Sequence, residues 1–193
     1  SKKGDLIVIN SSGDLFNIGT EEGSINWATN TSKSLYSGVS DFFKSSDVVI
    51  DGNEIIFSNA SSIFSYNLNK GSVNWKTEVT SVAAPIINGK NVFFVTENGY
   101  FIIINKNTGK IISSTNILKI LKKKKQATKV TGFIMGSGKI YATTLNGYLI
   151  VCSAVSGNIE YFKKIGDQII AAPIINDGSL YVLTENSRIL GFN

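Results

Sequence analysis

Asn98-Gly99-Tyr100-Phe101-Ile102-Ile103-Ile104-Asn105-Lys106-Asn107-Thr108-Gly109-Lys110-Ile111-Ile112-Ser113 is the stretch on which the fold turns. It opens on Asn-Gly, a dipeptide that accepts the positive φ angles of a type I′ hairpin turn. Four apolar residues follow, then a polar turn ending in glycine, then a second apolar start at Ile111. A short continuous apolar run between turn signals reads as a strand buried on both faces, whereas strict alternation would indicate one wet face. The stretch is therefore two strands of a sheet lying between two neighbouring sheets.

The same layout recurs along the chain. The first-turn position is Gly13, Ser61, Gly99, Gly147 and Ser187, in steps of 48, 38, 48 and 40 residues. Ten residues after each of the first four stands a second-turn glycine: Gly23, Gly71, Gly109 and Gly157. Four residues further stand Trp27, Trp75, Ser113 and Tyr161, so an aromatic fills three of these four sites. Ala83-Ala84-Pro85-Ile86-Ile87-Asn88 returns as Ala171-Ala172-Pro173-Ile174-Ile175-Asn176, and these are the only two prolines. Repeats of this period are a mark of propeller blades, with variable loops accounting for the spread.

Each unit reads as four short strands. Strand one covers 48–50, 85–87, 132–135 or 173–175, and strand two covers 6–9, 55–58, 92–95, 140–143 or 180–183. Strand three covers 15–18, 63–66, 101–104, 149–152 or 189–192, and strand four follows the second glycine and carries the aromatic. The expected architecture is an all-β propeller of four-stranded antiparallel blades within one domain, 1–193, with units at about 4–30, 45–79, 81–116, 130–165 and 168–193. The first unit begins at strand two and the fifth stops after strand three, which reads as a fragment of a larger ring; a five-bladed ring is the alternative. Trp27, Trp75 and Tyr161 are expected to plug the gaps between blades, where an indole N–H can bond a neighbouring carbonyl. Gly23, Gly71, Gly99, Gly109, Gly147 and Gly157 are expected as structural turns.

The pattern Gly-x-apolar-x-apolar, five or six residues, then Gly-x-apolar-x-Trp resembles the PQQ-like repeat of the quinoprotein-type propellers. Residues 98–113 and 146–161 match it in turns and strands, with Ser113 and Tyr161 in place of Trp. Residues 60–75 keep the Trp but have Ser61 where glycine is usual. The resemblance implies blades, and an eight-bladed ring in the non-catalytic branch similar to the outer-membrane assembly lipoprotein BamB. It carries little about activity, because the repeat encodes packing. In the other branch, the quinoprotein alcohol dehydrogenases, the resemblance implies PQQ and a calcium ion over the propeller face and an adjacent cysteine pair against the quinone. This sequence has no histidine and one cysteine, and its acidic residues are scattered through turns such as Asp51, Glu97, Asp177 and Glu185. A calcium site needs several convergent oxygens. No catalytic, cofactor-binding or metal-binding residue and no cofactor is therefore assigned.

Composition bounds the remaining readings. With 42% apolar residues in 193, the chain can build a sizeable core, and a single cysteine, Cys152, allows no internal disulfide. No apolar run is long enough for a membrane-spanning helix, and no apolar signal region appears at the start. The net charge of +5 is concentrated in Lys122, Lys123, Lys124 and Lys125. This block is a candidate contact for an anionic membrane surface or an acidic partner, set against a solvated loop. Nucleic acid is not expected, because no aromatics interleave with the lysines. Just before it, Ile117, Leu118, Ile120 and Leu121 suit one amphipathic helical turn. A second insertion, 30–46, places Leu35, Tyr36, Phe42 and Phe43 among Ser and Gly, either for a partner to dock on or folded onto its own blade.

The expected function is a non-catalytic scaffold that binds another protein, an outer-membrane assembly component by the resemblance, in the periplasm or at the outer membrane. The competing readings are a piece of a PQQ-dependent dehydrogenase and a ligand-sensing propeller of a larger receptor.

Overall fold

A computed structural model describes residues 4–31, 44–59, 61–79, 81, 83–121 and 128–193. Among them lie eighteen strands in five antiparallel sheets. The strands form two compact units, residues 1–85 with 107–109, and residues 86–106 with 110–193.

The first unit holds a three-stranded and a four-stranded sheet. The former is β1 (Asp5–Ile9), β2 (Asp14–Gly19) and β3 (Ile25–Asn30). The latter is β4 (Val49–Asp51), β5 (Glu54–Ser58), β6 (Ile63–Asn67) and β7 (Val73–Thr77). Leu15 of the first sheet packs with Ile55, Phe57, Phe64 and Tyr66 of the second and with Leu68 in the turn after β6. The rings of Phe57 and Phe64 stack at 5.5 Å.

The second unit holds three sheets. One is β8 (Ile86–Asn88), β9 (Asn91–Val95), β10 (Tyr100–Asn105) and β11 (Ile111–Asn116). The next is β12 (Val130–Gly136), β13 (Lys139–Thr144), β14 (Tyr148–Ser153) and β15 (Ile159–Lys164). The last has three strands, β16 (Ile174–Asn176), β17 (Ser179–Leu183) and β18 (Ile189–Phe192). Leu149 and Val151 of β14 pack against Leu180 and Val182 of β17.

Burial follows the two-sided reading in the middle strands. In β5, β6, β9 and β10 four consecutive residues are buried, so both faces of each strand are covered. In β1 the equally apolar Leu6-Ile7-Val8-Ile9 has no buried residue: Ile7 and Ile9 are half-buried, and Leu6 and Val8 are exposed. An apolar run shows that both faces tolerate burial, but a neighbouring sheet is what supplies it.

The hairpin turns correct one expectation. Gly99 and Gly147 have positive φ, but Asn98 and Asn146 do not, so these turns are not type I′. The loops have three residues, as in a type I turn closed by a left-handed residue. Gly99 N–H donates to the Thr96 carbonyl (2.9 Å) and Gly147 N–H to that of Thr144 (2.9 Å). The Asn146 side chain instead accepts a hydrogen bond from the Thr144 hydroxyl (2.8 Å). Two consecutive positive φ angles, the type I′ pattern, occur at Ser137-Gly138 and Asp177-Gly178, between strands one and two.

The segment after β11 is a 3-10 helix, Ile117–Leu121, with Ile117 and Leu121 buried and Ile120 exposed. No helix among the described residues is long and apolar enough to cross a membrane. Lys122, Lys123, Lys124 and Lys125, and Leu35, Tyr36, Phe42 and Phe43 of the second insertion, lie outside the described residues.

Candidate partner-binding surfaces

The fourth strand of each complete hairpin carries the same irregularity. Asn17 pairs with Trp27 but Ile18 with Ile25; Ser65 pairs with Trp75 but Tyr66 with Val73. The same skip occurs at Ser113 and at Tyr161. One extra residue, Asn26, Asn74, Ile112 or Glu160, thus bulges from the strand just before the aromatic position. A bulge bends its strand and re-aims the next side chain. Asn26 Nδ2 donates to Asn17 Oδ1 (2.9 Å) and Asn74 Nδ2 to Ser65 Oγ (3.1 Å), tying the bulge to strand three.

The re-aimed side chain meets a turn glycine of the next sheet. Trp27 lies on Gly71, and its Nε1 donates to the Leu68 carbonyl at 2.9 Å. Trp75 lies on Gly109 and is 7% exposed. Beside it the Thr77 hydroxyl donates to the Gly109 carbonyl at 2.6 Å. In the second unit Ser113 meets Gly157 in the same relation. Gly23 has positive φ, and among the described residues nothing lies within 4 Å of where its Cβ would stand.

Tyr161 departs from the plugging role expected of it. Its ring is 50% exposed and borders a cavity of about 320 Å³. Among the described residues no turn glycine lies against the ring.

The first-turn end of the second unit forms a different surface. Each turn is braced by a threonine that sequence reading did not single out. The hydroxyls of Thr96, Thr144 and Thr184 accept the backbone N–H of Tyr100 (3.0 Å), Tyr148 (3.0 Å) and Arg188 (3.3 Å). The signal was available as Thr-x-Asn-Gly or Thr-x-Asn-Ser before each strand three. Next to these turns opens a cavity of about 530 Å³ lined by Thr128, Asn146, Lys164, Asp167, Gln168 and Glu185, with Leu145. Thr128 Oγ1 donates to Asn146 Oδ1 (2.8 Å), and Asn186 Nδ2 donates to Asp167 Oδ2 (3.0 Å). Small-molecule sites are lined mainly by apolar and aromatic groups. This lining is polar, with two carboxylates and one ammonium on turns braced by side chains, which suits a wet contact with a protein segment.

Nucleophilic chemistry has little to draw on. Cys152 is fully buried, and desolvation, with the Glu160 charge as a smaller cause, pushes its thiol up to about 12. The thiolate is the reactive form, so the group is inert near neutrality. A thiol-reactive disulfide reagent at pH 8 is expected to leave the native chain unlabelled over a time that fully labels it in urea. Equal rates in both conditions would contradict the burial. Among the described residues no three His, Cys, Asp or Glu side chains converge as a metal would require.

The family described as outer membrane protein assembly factor BamB matches residues 1–115. No curated protein matches by sequence. The structure of BamB from Moraxella catarrhalis superposes with TM-score 0.75 at 15% identity, over 100% of this chain and 59% of that one. The computationally designed Ika8 protein gives TM-score 0.74 at 10% identity, over 100% of this chain and 56% of that one. The β-propeller domain of Cps50 (Swd1) from Myceliophteria thermophila gives TM-score 0.73 at 13% identity, over 97% and 61%. These likenesses show the fold, an all-β propeller. The chain spans less than two thirds of the length of each of these three.

Proposed function

The chain belongs to the family of the outer membrane protein assembly factor BamB, and from that premise we propose that it is a non-catalytic, protein-binding scaffold of the bacterial cell envelope. The family match over residues 1–115 carries the reading. Its partner is a component of outer-membrane β-barrel assembly, and its place is the periplasm or the periplasmic side of the outer membrane. Catalysis is not part of the role: the sequence has no histidine to act as a base, and its one thiol is held protonated.

The polar cavity at Asn146, Asp167 and Glu185 is the surface offered to the partner. Hot spots are commonly large anchors in desolvated pockets, and a basic or amide side chain of the partner fits between these carboxylates. The lysine block, Lys122, Lys123, Lys124 and Lys125, adds a weak contact with an anionic membrane surface, each lysine contributing about 1 kcal/mol when near it.

Deleting the gene should lower the steady-state amount of outer-membrane β-barrel proteins several-fold, and the intact gene should restore it. The double variant Asp167→Lys, Glu185→Lys should fold but fail to restore it. Unchanged β-barrel levels in the deletion strain would sink the scaffold reading, whereas restoration by the double variant would remove only the cavity from it. For the lysines, replacing all four by serine should abolish salt-sensitive binding to anionic liposomes; unaltered binding would dismiss that contact.

A further inference from the structure

We propose that Asn88-Gly89 is a self-modification site of the folded chain: the Asn88 side chain loses its amide to attack by the Gly89 backbone nitrogen, which turns an amide at the β8–β9 turn into a carboxylate. The site is independent of the scaffold reading, since the chemistry needs no partner beyond water.

The sequence holds three Asn-Gly pairs: Asn88-Gly89, Asn98-Gly99 and Asn146-Gly147. In such a pair the glycine nitrogen can reach the asparagine Cγ, because no Cβ on the following residue stands in the way. The N–Cγ bond forms, the Cγ–Nδ2 bond breaks, and ammonia leaves with the proton of the glycine N–H. Water then opens the succinimide ring to aspartate or isoaspartate. The reaction requires a glycine nitrogen that is free to give up its proton and a turn that can deform.

The fold meets both conditions at one pair. Gly99 N–H is held by the Thr96 carbonyl and Gly147 N–H by that of Thr144, both at 2.9 Å, and both glycines are buried. At Asn146 the side-chain oxygen is held as well, by the hydroxyls of Thr128 and Thr144 at 2.8 Å each. Among the described residues no acceptor engages Gly89 N–H. Asn88 and Gly89 are exposed, and the departing Nδ2 donates to the Met135 sulfur at 3.7 Å, a weak acceptor. The hairpins differ too. Asn98 and Asn146 lie between middle strands of five or six residues. In contrast, β8 has three residues and pairs with β9 alone. A short edge strand opens locally at low cost, which lets Asn88 turn toward the glycine nitrogen.

Another sheet shows that the product fits. The matching turn between β4 and β5 is Asp51-Gly52. Asp51 stands opposite Glu54 as Asn88 stands opposite Asn91, and φ is +60° at Gly52 and +59° at Gly89. A carboxylate thus already occupies this place in the repeat. Isoaspartate would instead add a methylene to the backbone and break the pairing of positions 88 and 91.

The test holds the whole chain at pH 8 and follows the three sites by peptide mass spectrometry, with a parallel sample in urea. In the folded chain Asn88 should react about tenfold faster than Asn98 or Asn146, the effect of releasing one held N–H expressed as a rate. In urea the three rates should converge, because the dipeptide is the same. The Asn88→Asp protein should fold and unfold at the same urea concentration as the parent. Equal rates at the three sites of the folded chain, or a faster reaction at Asn98 or Asn146, overturn the proposal. So does a ranking that urea leaves unchanged, or an Asn88 that reacts in urea yet stays intact in the folded chain. An Asn88→Asp protein that cannot fold would overturn it too, since the folded chain could not then carry the product.

Discussion

Replacing Trp75 with alanine should lower the unfolding free energy by about 3–5 kcal/mol, the range for deleting a large buried aromatic. The ring is 7% exposed and lies against the Gly109 turn. Tyr161→Ala provides the internal contrast. It stands at the same repeat position but is half-exposed, so its removal should cost no more than about 1 kcal/mol. Urea unfolding followed by far-ultraviolet circular dichroism measures both. Equal costs at the two positions would show that the seam contact contributes nothing beyond the strand.

Gly109→Ala is the second large effect, from the other side of the same contact. Gly109 has φ +69°, and a Cβ there would stand 2.7 Å from Trp75 Cδ2. Left-handed backbone costs a non-glycine residue about 1–2 kcal/mol, and forcing atoms into a packed site costs roughly 1–3 kcal/mol more. Gly89 separates the two costs, because its φ is +59° and nothing lies within 4 Å of the added carbon. Gly89→Ala should therefore show only the backbone cost. A Gly109→Ala protein as stable as Gly89→Ala would mean that the indole yields freely.

What the sequence made legible was whatever repeats locally. The ten-residue spacing of Gly13 to Gly23 and of Gly99 to Gly109 located strands three and four, and the apolar runs at Phe101 and Leu149 located their burial. Properties that depend on pairing were not legible. The bulges at Asn26, Asn74, Ile112 and Glu160 exist only relative to strand three, and nothing in Ile112 or Glu160 announces them. The turn type at Asn98-Gly99 was misread because Asn can either adopt positive φ or use its side chain. At Asn146, the residue of the matching turn, the Thr144 hydroxyl engages the amide oxygen. The exposure of Tyr161 was hidden for the same reason as that of Leu6: a side chain's register says which way it points, while its cover comes from another sheet.

The candidate surfaces divide along the same line. The polar cavity joins Asn146 and Lys164 to Asp167 and Glu185, residues from separate turns and a strand end that composition cannot associate. The lysine block, by contrast, was conspicuous as a sequence run, and the effect proposed for it rests on charge rather than on a shaped site.

A double-mutant cycle on Trp75→Ala and Gly109→Ala tests most directly whether the indole packs on the turn glycine. Once the ring is gone, the added methyl no longer strikes the indole, so the second substitution should cost chiefly the backbone strain. The two losses should then fall short of additivity by about 1 kcal/mol or more. Additive losses, within about 0.5 kcal/mol, would mean that the two residues do not touch, contradicting the packing on which this account of the fold depends.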